Sequence, residues 1–292
     1  MLMRLIKKNY LLAKLYYEYL YRISSFKGKE PLVVYQAGKV GSSSVVKFLE
    51  SLHLDRMVFH VHSLRPQTLR KIRTAYYGDA PGCWFKKYEP RSLHLLQSCY
   101  LYRHLNRRWG GRHRYKVVSI IREPVARNIS AFFQTIDLQI PDFLERYHAN
   151  LLTSEQFLQI FLESFEDHEG ILVWLDEELK AMLGVDVYAA PFPKTKGYQI
   201  YHGNRADVLL IKMEMIGQCI QDAFKEFLGI ENTTLPRVNV SSDKPYAKIY
   251  QDFTQSLVIP AFYLDRMYGS KYTQHFYSAE EICRFRSKWS KE

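Results

Sequence analysis

Two short segments of the chain carry groups suited to binding anions. The first is the loop at residues 37–44, AGKVGSSS, which follows an apolar run and precedes a helical pattern. Its glycines allow close backbone approach, its lysine adds a positive charge, and its serines donate hydroxyl hydrogen bonds at the helix start. An ordinary strand-to-helix turn rarely combines all of these. The loop is therefore predicted to bind a phosphate group through Gly38, Lys39, Val40, Gly41, Ser42, Ser43 and Ser44.

This loop differs from the Walker A pattern of nucleotide kinases. That pattern, GxxxxGK[ST], has its lysine directly after the last glycine, whereas Lys39 comes two residues before Gly41. The strand predicted at residues 115–121 is followed by Arg122, where a Walker B arrangement would hold a magnesium-binding aspartate. Because neither segment offers a magnesium ligand in the expected place, we expect a reaction that needs no metal.

The second segment, REPVARNISAFF at residues 122–133, also collects anion-binding groups. Arg122 follows the carboxyl end of a strand, while Arg127 and Ser130 are three residues apart and share one face of a helix. Guanidinium and hydroxyl groups arranged in this way can converge on one further phosphate. The alternative is that Arg122 forms an ion pair with Glu123 or is a solvated loop charge.

Two histidines could supply acid–base chemistry. His60 and His62, in FHVHS, end a second predicted strand, and their separation of two places both side chains on one face. A neutral imidazole titrates in the useful range for a general base. We predict His62 as the base, with His60 as its substitute; the alternative is that both are structural.

The composition is that of a folded, basic protein. Its 292 residues are 47% hydrophobic, which excludes a disordered or low-complexity chain, and the formal net charge is +11. That charge favours anionic partners such as phosphorylated or sulfated small molecules, acidic glycans, nucleic acid or an anionic membrane. Nucleic acid is not expected, since no basic repeat or RNA-binding signature is present. The four cysteines form no CxxC pair and have no interleaved histidine ligands, which argues against zinc and against a disulfide scaffold.

Apolar periodicity predicts an α/β fold for the segments that carry these groups. Short apolar runs at residues 32–36, 57–61, 115–121 and 208–213 predict buried strands. Strands alternating with helices predict a single P-loop-like domain at residues 31–292, with a central parallel sheet flanked by helices. Helical insertions are predicted at about residues 65–113 and 140–200.

Local signals predict several helix ends. Thr153 and Gln156 form a capping box, and Asp176 is predicted to cap a helix that ends near Gly184. Another helix is predicted at residues 216–228, followed by the stop signal Gly229.

The first 30 residues predict a basic amphipathic helix and a linker. Charged residues interrupt the apolar pattern, so the segment neither spans a bilayer nor resembles a signal peptide. We expect the helix to pack on the edge of the domain; the alternative is a peripheral contact with an anionic membrane. A cytoplasmic protein is expected.

Together the two anion-binding segments resemble a known pair of motifs. They are similar to the 5′-phosphosulfate loop and the R-[DE]-P-x-x-R-x-x-S-x-[FY] 3′-phosphate signature of the superfamily of sulfotransferases that use 3′-phosphoadenosine 5′-phosphosulfate (PAPS). The loop departs from the commoner K-[TS]-G-[TS]-[TS] order. VLLIKMEMI, EFLGI and RVNVSSDKPYAKIY resemble later segments of these enzymes. Within the superfamily the chain resembles carbohydrate sulfotransferases and, more closely, bacterial capsular polysaccharide synthesis proteins.

The resemblance implies a reaction and a set of roles. PAPS would donate a sulfuryl group to a hydroxyl of a carbohydrate acceptor, Lys39 would stabilise the phosphosulfate, and Arg122 and Ser130, with Arg127 beside them, would hold the 3′-phosphate. The superfamily has its catalytic base after an early strand, which favours His62. A P-loop kinase-like phosphotransferase and a non-catalytic nucleotide-binding scaffold in capsular polysaccharide assembly are the alternatives.

Overall fold

A five-stranded sheet forms the centre of the fold. The computed structural model describes residues 9–26, 31–54, 56–77, 91–107, 114–149, 151–165, 167–231 and 247–291. The strands are β1 (Leu32–Tyr35), β2 (Val58–Val61), β3 (Tyr115–Ile121), β4 (Tyr198–His202) and β5 (Ala206–Lys212). Their order in the sheet is β2-β1-β3-β5-β4.

Most of the sheet is parallel, as the buried apolar runs predicted. β1 pairs in parallel with both β2 and β3, and β3 pairs in parallel with β5. One edge departs from the predicted parallel sheet, because β4 pairs antiparallel with β5. β4 begins inside the predicted helical insertion at residues 140–200, and its sequence YQIYH, with a polar residue second and last, does not stand out as a continuous apolar run.

Helices flank this sheet. The 3-10 turn Met213–Met215 joins β5 to the next helix, and a π-helical segment, Leu175–Leu183, continues α9 (Gly170–Trp174). The other helices are α1 (Tyr10–Phe26), α2 (Ser42–Ser51), α3 (Pro66–Tyr77), α4 (Arg91–Arg107), α5 (Pro124–Gln134), α6 (Ile136–Gln139), α7 (Phe143–His148), α8 (Ser154–Ser164), α10 (Ile216–Leu228), α11 (Ala247–Ser256), α12 (Ala261–Tyr268), α13 (Lys271–Phe276) and α14 (Ala279–Ser290).

Most of the predicted helix ends are confirmed. Thr153 and Gln156 form the reciprocal capping box of α8. Gly184 and Gly229 end their helices in the left-handed conformation. The prediction that Asp176 caps a helix was wrong: it lies inside the π-helical segment, where the chain continues from α9 without a break.

The helix α1 packs against β2, an edge strand of the sheet, and against α4. The ring of Tyr21 lies 4.7 Å from that of Phe59 on β2 and 4.5 Å from that of Tyr100 on α4. Leu15 and Tyr19, on the other face of α1, are 63% and 62% exposed. Within the described part of the chain, no helix combines the length and apolar character needed to cross a membrane.

A second hydrophobic core lies beside the sheet core and holds α5, the helix that carries the second anion-binding segment. Phe132 and Phe133 of α5 pack against rings from α8 and α11, including Phe161 and Phe253. Aromatic pairs of this kind add stabilisation of about 0.5–1.5 kcal/mol each beyond their buried area. The helix is therefore rigidly placed relative to β3, which precedes it.

Candidate functional site

The two anion-binding segments meet where the strand order of the sheet reverses. From β1 the chain crosses to β2 on one side, whereas β3 pairs with β1 on the other side. Ligands of open α/β sheets bind in the crevice at this point, outside the carboxyl ends of the strands. Residues 37–44 follow β1 there, and residues 122–133 follow β3.

Two arginines of the second segment contact the first segment directly. Arg122 Nη1 donates a hydrogen bond to Lys39 O at 2.8 Å, and Arg127 Nε donates one to Gly38 O at 3.1 Å. Each bond joins positions more than eighty residues apart in the chain. The two segments that the sequence predicts to bind anions are therefore in direct contact.

The backbone of Arg122 is fixed by a tyrosine that the sequence analysis missed. The Tyr272 hydroxyl accepts a hydrogen bond from Arg122 N at 3.0 Å and donates one to Arg122 O at 2.9 Å. Burial keeps the pKa of Tyr272 well above its ordinary value, so the group stays a phenol. Among the described residues, Arg122 Nε and Nη2 donate to no protein acceptor, which leaves guanidinium donors for an anion.

Arg127 holds the loop in place through hydrogen bonds to the protein. The residue is only 6% exposed. Besides its bond to Gly38, Nη1 donates to Asn128 Oδ1 and Asp167 O, both at 3.0 Å, and Nη2 donates to Asp167 Oδ2 at 2.6 Å. The structure thus brings Arg127 to the predicted site but engages three of its nitrogens within the protein.

The loop after β1 has an unusual backbone. Lys39 and Gly41 have φ values of +69° and +89°, both left-handed, with Val40 between them outside that region. Alternation of this kind turns successive N–H groups to one side and forms an anion-binding concavity. A Cβ at Gly41 would lie 2.9 Å from Met213 Sδ and Cε, whereas a Cβ at Gly38 would meet nothing within 4 Å.

The predicted hydroxyl donors lie at the start of α2 and on α5. Ser42 is buried, Ser43 is exposed, and Ser44 and Ser130 are half-buried. Gly41, the N-cap of α2, has no side chain to accept from the first N–H groups of the helix. A helix start of this kind favours an anion as the acceptor.

Two carboxylates support the turn between β3 and α5. Glu123 is 2% exposed and accepts hydrogen bonds from Val125 N at 2.8 Å, Ala126 N at 2.7 Å and the Tyr268 hydroxyl at 2.9 Å. Burial raises its pKa. Glu123 therefore caps α5, and no ion pair joins it to Arg122 within the described ranges. Its own N–H donates to Glu214 Oε1 at 2.7 Å, which gives a structural role to the glutamate of VLLIKMEMI.

His60 and His62 lie together at the end of β2, with ring centroids 4.8 Å apart. A third histidine, His94 of α4, adds a ring 4.4 Å from His60 and 5.0 Å from His62. Burial is the main cause that lowers the pKa of His62 to about 4 and that of His60 to about 2. Both imidazoles are therefore neutral at pH 7 and weakly basic. No sequence signal marked His94, because it lies 32 positions beyond His62 in a helix.

The comparisons with known proteins concern the second half of the chain. A family model described as "Putative capsular polysaccharide synthesis protein" matches residues 145–278. This range is under half of the chain; it begins in α7 and includes β4, β5, Glu214 and Tyr272, but neither anion-binding segment. No curated protein and no solved structure matches the chain. Residues 237–246, most of the segment RVNVSSDKPYAKIY, lie outside the described residues. The shown similarity is therefore to capsular polysaccharide synthesis proteins.

Proposed function

We propose that this protein is a sulfotransferase with a P-loop-like donor site, which moves a sulfuryl group from PAPS to a hydroxyl of a polysaccharide or glycan. The observation that carries the proposal is the contact of Arg122 Nη1 with Lys39 O at the switch point of the sheet. It brings the loop suited to a phosphosulfate beside the segment suited to a 3′-phosphate. The family match at residues 145–278 supports a carbohydrate acceptor.

The residues present fit the charges of such a donor. The left-handed φ values of Lys39 and Gly41 and the start of α2 suit a concavity lined by N–H groups, and the space beside Gly38 is open. We assign the 5′-phosphosulfate to this loop, with the Lys39 ammonium beside the oxygen on which charge develops. We assign the 3′-phosphate to the remaining donors of Arg122 and to Ser130, with Arg127 holding the loop in place.

When bound, the donor supplies a sulfuryl group whose bond to the 5′-phosphate oxygen breaks as the acceptor oxygen attacks. Binding energy from Arg122 and Ser130, away from the reacting bond, would orient that group. The proton of the acceptor hydroxyl needs a base, for which the sequence names His62, with His60 as its substitute. Nδ1 of His62 lies 3.0 Å from Gln36 O and is therefore the donor, so Nε2 is the nitrogen able to take a proton.

A transfer assay tests the proposal. The full chain is incubated with ³⁵S-labelled PAPS and a panel of capsular polysaccharides, and label in the polysaccharide fraction is measured. We expect transfer by the wild type and by the control Lys47→Ala, an exposed lysine of α2, but a loss of about 10²–10³-fold in Lys39→Ala. Equal transfer by all three proteins would contradict the proposal.

The same assay separates the alternatives. Transfer should proceed without added magnesium, because Arg122 stands where a magnesium-binding aspartate is needed. Transfer of ³²P from γ-labelled ATP that depends on magnesium would favour the kinase-like phosphotransferase. Donor binding without any transfer across the panel would favour the scaffold in polysaccharide assembly.

A further inference from the structure

Three histidines from two elements meet beside the carboxyl end of β1. His60 lies in β2, His62 directly follows that strand, and His94 comes from α4. One ring nitrogen from each lies within 4.8 Å of the others. We propose that His60, His62 and His94 bind a transition-metal ion of the zinc class and leave a fourth coordination position open. The proposal rests on the three histidines and does not rest on the proposed function.

The hydrogen bonds of two rings fix which nitrogen can bind the ion. His62 Nδ1 lies 3.0 Å from Gln36 O, and His94 Nδ1 lies 2.8 Å from His60 O. A carbonyl oxygen only accepts, so both Nδ1 atoms carry a proton, and in the neutral form of each ring Nε2 is the atom with the lone pair that a metal ion binds. Histidine ligands of metal ions are commonly oriented by such a bond from the other ring nitrogen to a carbonyl group.

The third ring has a polar atom that the described residues leave unpaired. His60 Nε2 is buried and has no hydrogen-bond partner. A buried polar atom without a partner costs about 1–3 kcal/mol, so such an atom needs an explanation. A metal ion between the three rings would give His60 Nε2 the partner that it lacks.

The backbone that carries the histidines is held by its neighbours. His60 N donates to Gln97 Oε1 at 2.8 Å, and Trp174 Nε1 donates to His62 O at 2.9 Å. Beyond the histidines, Ser63 Oγ and Leu64 N donate to the buried Glu178 carboxylate, at 2.5 and 2.9 Å. The cluster is therefore supported on several sides, which is the arrangement that a rigid metal site requires.

The donor set indicates the class of ion. Three imidazole ligands suit zinc and its neighbours in the first transition series, whereas magnesium and calcium prefer oxygen ligands. Three protein ligands with an open fourth position are typical of catalytic rather than structural zinc sites. Zn–N bonds of about 2.0–2.1 Å would draw the three nitrogens closer together than 4.8 Å, through small ring movements.

The argument against zinc from the sequence rested on the four cysteines, which form no CxxC pair and have no interleaved histidine ligands. The fold brings His94 of α4 to the HVH pair, so histidines alone supply three ligands. A metal ion on Nε2 of His62 also excludes that atom as a general base. The metal site and the general base are therefore alternative roles for His62. Substitution of His94 distinguishes them, because the metal site needs His94 and a base at His62 does not.

Metal content tests the proposal directly. The untagged full chain is stripped with EDTA, mixed with two equivalents of Zn²⁺, passed through gel filtration and analysed for bound zinc. We expect one zinc per chain in the wild type and in the control His202→Ala, a histidine 67% exposed on β4. His60→Ala, His62→Ala and His94→Ala should each retain less than about a tenth of that amount. His94→Gln serves as a second variant, because its amide preserves more of the packing if His94→Ala fails to fold.

Visible spectroscopy of bound Co²⁺ provides a second test of the site. Co²⁺ added to the stripped wild type should give the visible absorption of tetrahedral cobalt, and His94→Gln should not. The proposal would be overturned if the wild type holds no zinc after Zn²⁺ is added back and the protein is passed through gel filtration. It would also be overturned if the variants of the three histidines hold as much zinc as His202→Ala. Binding of adenosine 3′,5′-bisphosphate by zinc-free His94→Gln should equal that of the wild type, so a failure of the metal site is distinguishable from a failure of the donor site.

Discussion

Arg122 donates a hydrogen bond from its guanidinium to the carbonyl oxygen of Lys39 at 2.8 Å. Lys39 has a left-handed backbone, which costs a non-glycine residue about 1–2 kcal/mol. The bond from Arg122 helps to hold this conformation. Arg122 therefore connects an anion that it binds to the loop that carries the Lys39 ammonium group.

Arg122→Ala should weaken binding of adenosine 3′,5′-bisphosphate more than Ser130→Ala does. A charged guanidinium contact contributes about 1.5–3 kcal/mol and a hydroxyl contact about 0.5–1.5 kcal/mol, so we expect roughly 10–100-fold and 2–10-fold losses of affinity. Isothermal titration calorimetry measures both, with Arg70→Ala, an exposed arginine of α3, as the control. If Arg122→Ala weakens AMP just as much, the assignment of this residue to the 3′-phosphate is wrong.

Alanine at Gly41 should lower the stability of the fold, whereas alanine at Gly38 should lower the affinity for the ligand. Gly41→Ala puts a Cβ on a left-handed residue and 2.9 Å from Met213, so we expect a loss of about 1–3 kcal/mol in unfolding free energy. Gly38→Ala meets no atom within 4 Å and should unfold like the wild type, but its methyl group enters the space assigned to the donor. Urea unfolding and calorimetry with adenosine 3′,5′-bisphosphate measure the two effects. Normal ligand affinity in Gly38→Ala would place the ligand elsewhere.

Lys39→Gly and Lys39→Ala separate the charge of Lys39 from its backbone strain. Both variants remove the ammonium group, so both should lose affinity for adenosine 3′,5′-bisphosphate by the same factor. Glycine adopts φ of +69° without strain, so Lys39→Gly should exceed Lys39→Ala by roughly 1 kcal/mol in unfolding free energy, as measured in urea. Unequal affinities would show that the backbone conformation, and not the charge alone, determines binding.

Tyr272→Phe should impair ligand binding although Tyr272 is assigned no contact with the ligand. The substitution removes both hydrogen bonds to the backbone of Arg122 and leaves an N–H and a C=O group without their partner. We expect a loss of about 2–4 kcal/mol in unfolding free energy and a weaker response to adenosine 3′,5′-bisphosphate. Tyr19→Phe, at an exposed position of α1, is the control. An unchanged affinity in folded Tyr272→Phe would mean that the position of Arg122 does not depend on this tyrosine.

The sequence predicted the parts of the fold that depend on local signals. Continuous apolar runs gave β3 its exact bounds and the other parallel strands to within one or two residues. β4 was missed because its sequence, YQIYH, contains no continuous apolar run. The three residues between β4 and β5 were the available signal, since they connect the strands as a hairpin.

The site was predictable only as far as each segment carries its own chemistry. Lys39, Gly41 and Arg122 stand in recognisable local patterns, and their positions after β1 and β3 follow from the predicted strands. The burial of Arg127 depends on Asp167, 40 positions away, and the third histidine depends on how α4 packs against β2. Such contacts between distant residues leave no periodic trace in one sequence.

The most direct measurement for the central claim is a thermal-shift titration of the full chain with adenosine 3′,5′-bisphosphate, AMP and ATP–Mg²⁺. A ligand that binds only the native state stabilises it by RT ln(1 + [L]/Kd), so the melting temperature ranks the ligands by affinity. Because Arg122 and Ser130 are assigned to the 3′-phosphate, adenosine 3′,5′-bisphosphate should raise the melting temperature clearly, and AMP and ATP–Mg²⁺ much less. Equal shifts for the three ligands, or the largest shift with ATP–Mg²⁺, would contradict the donor site proposed for this protein.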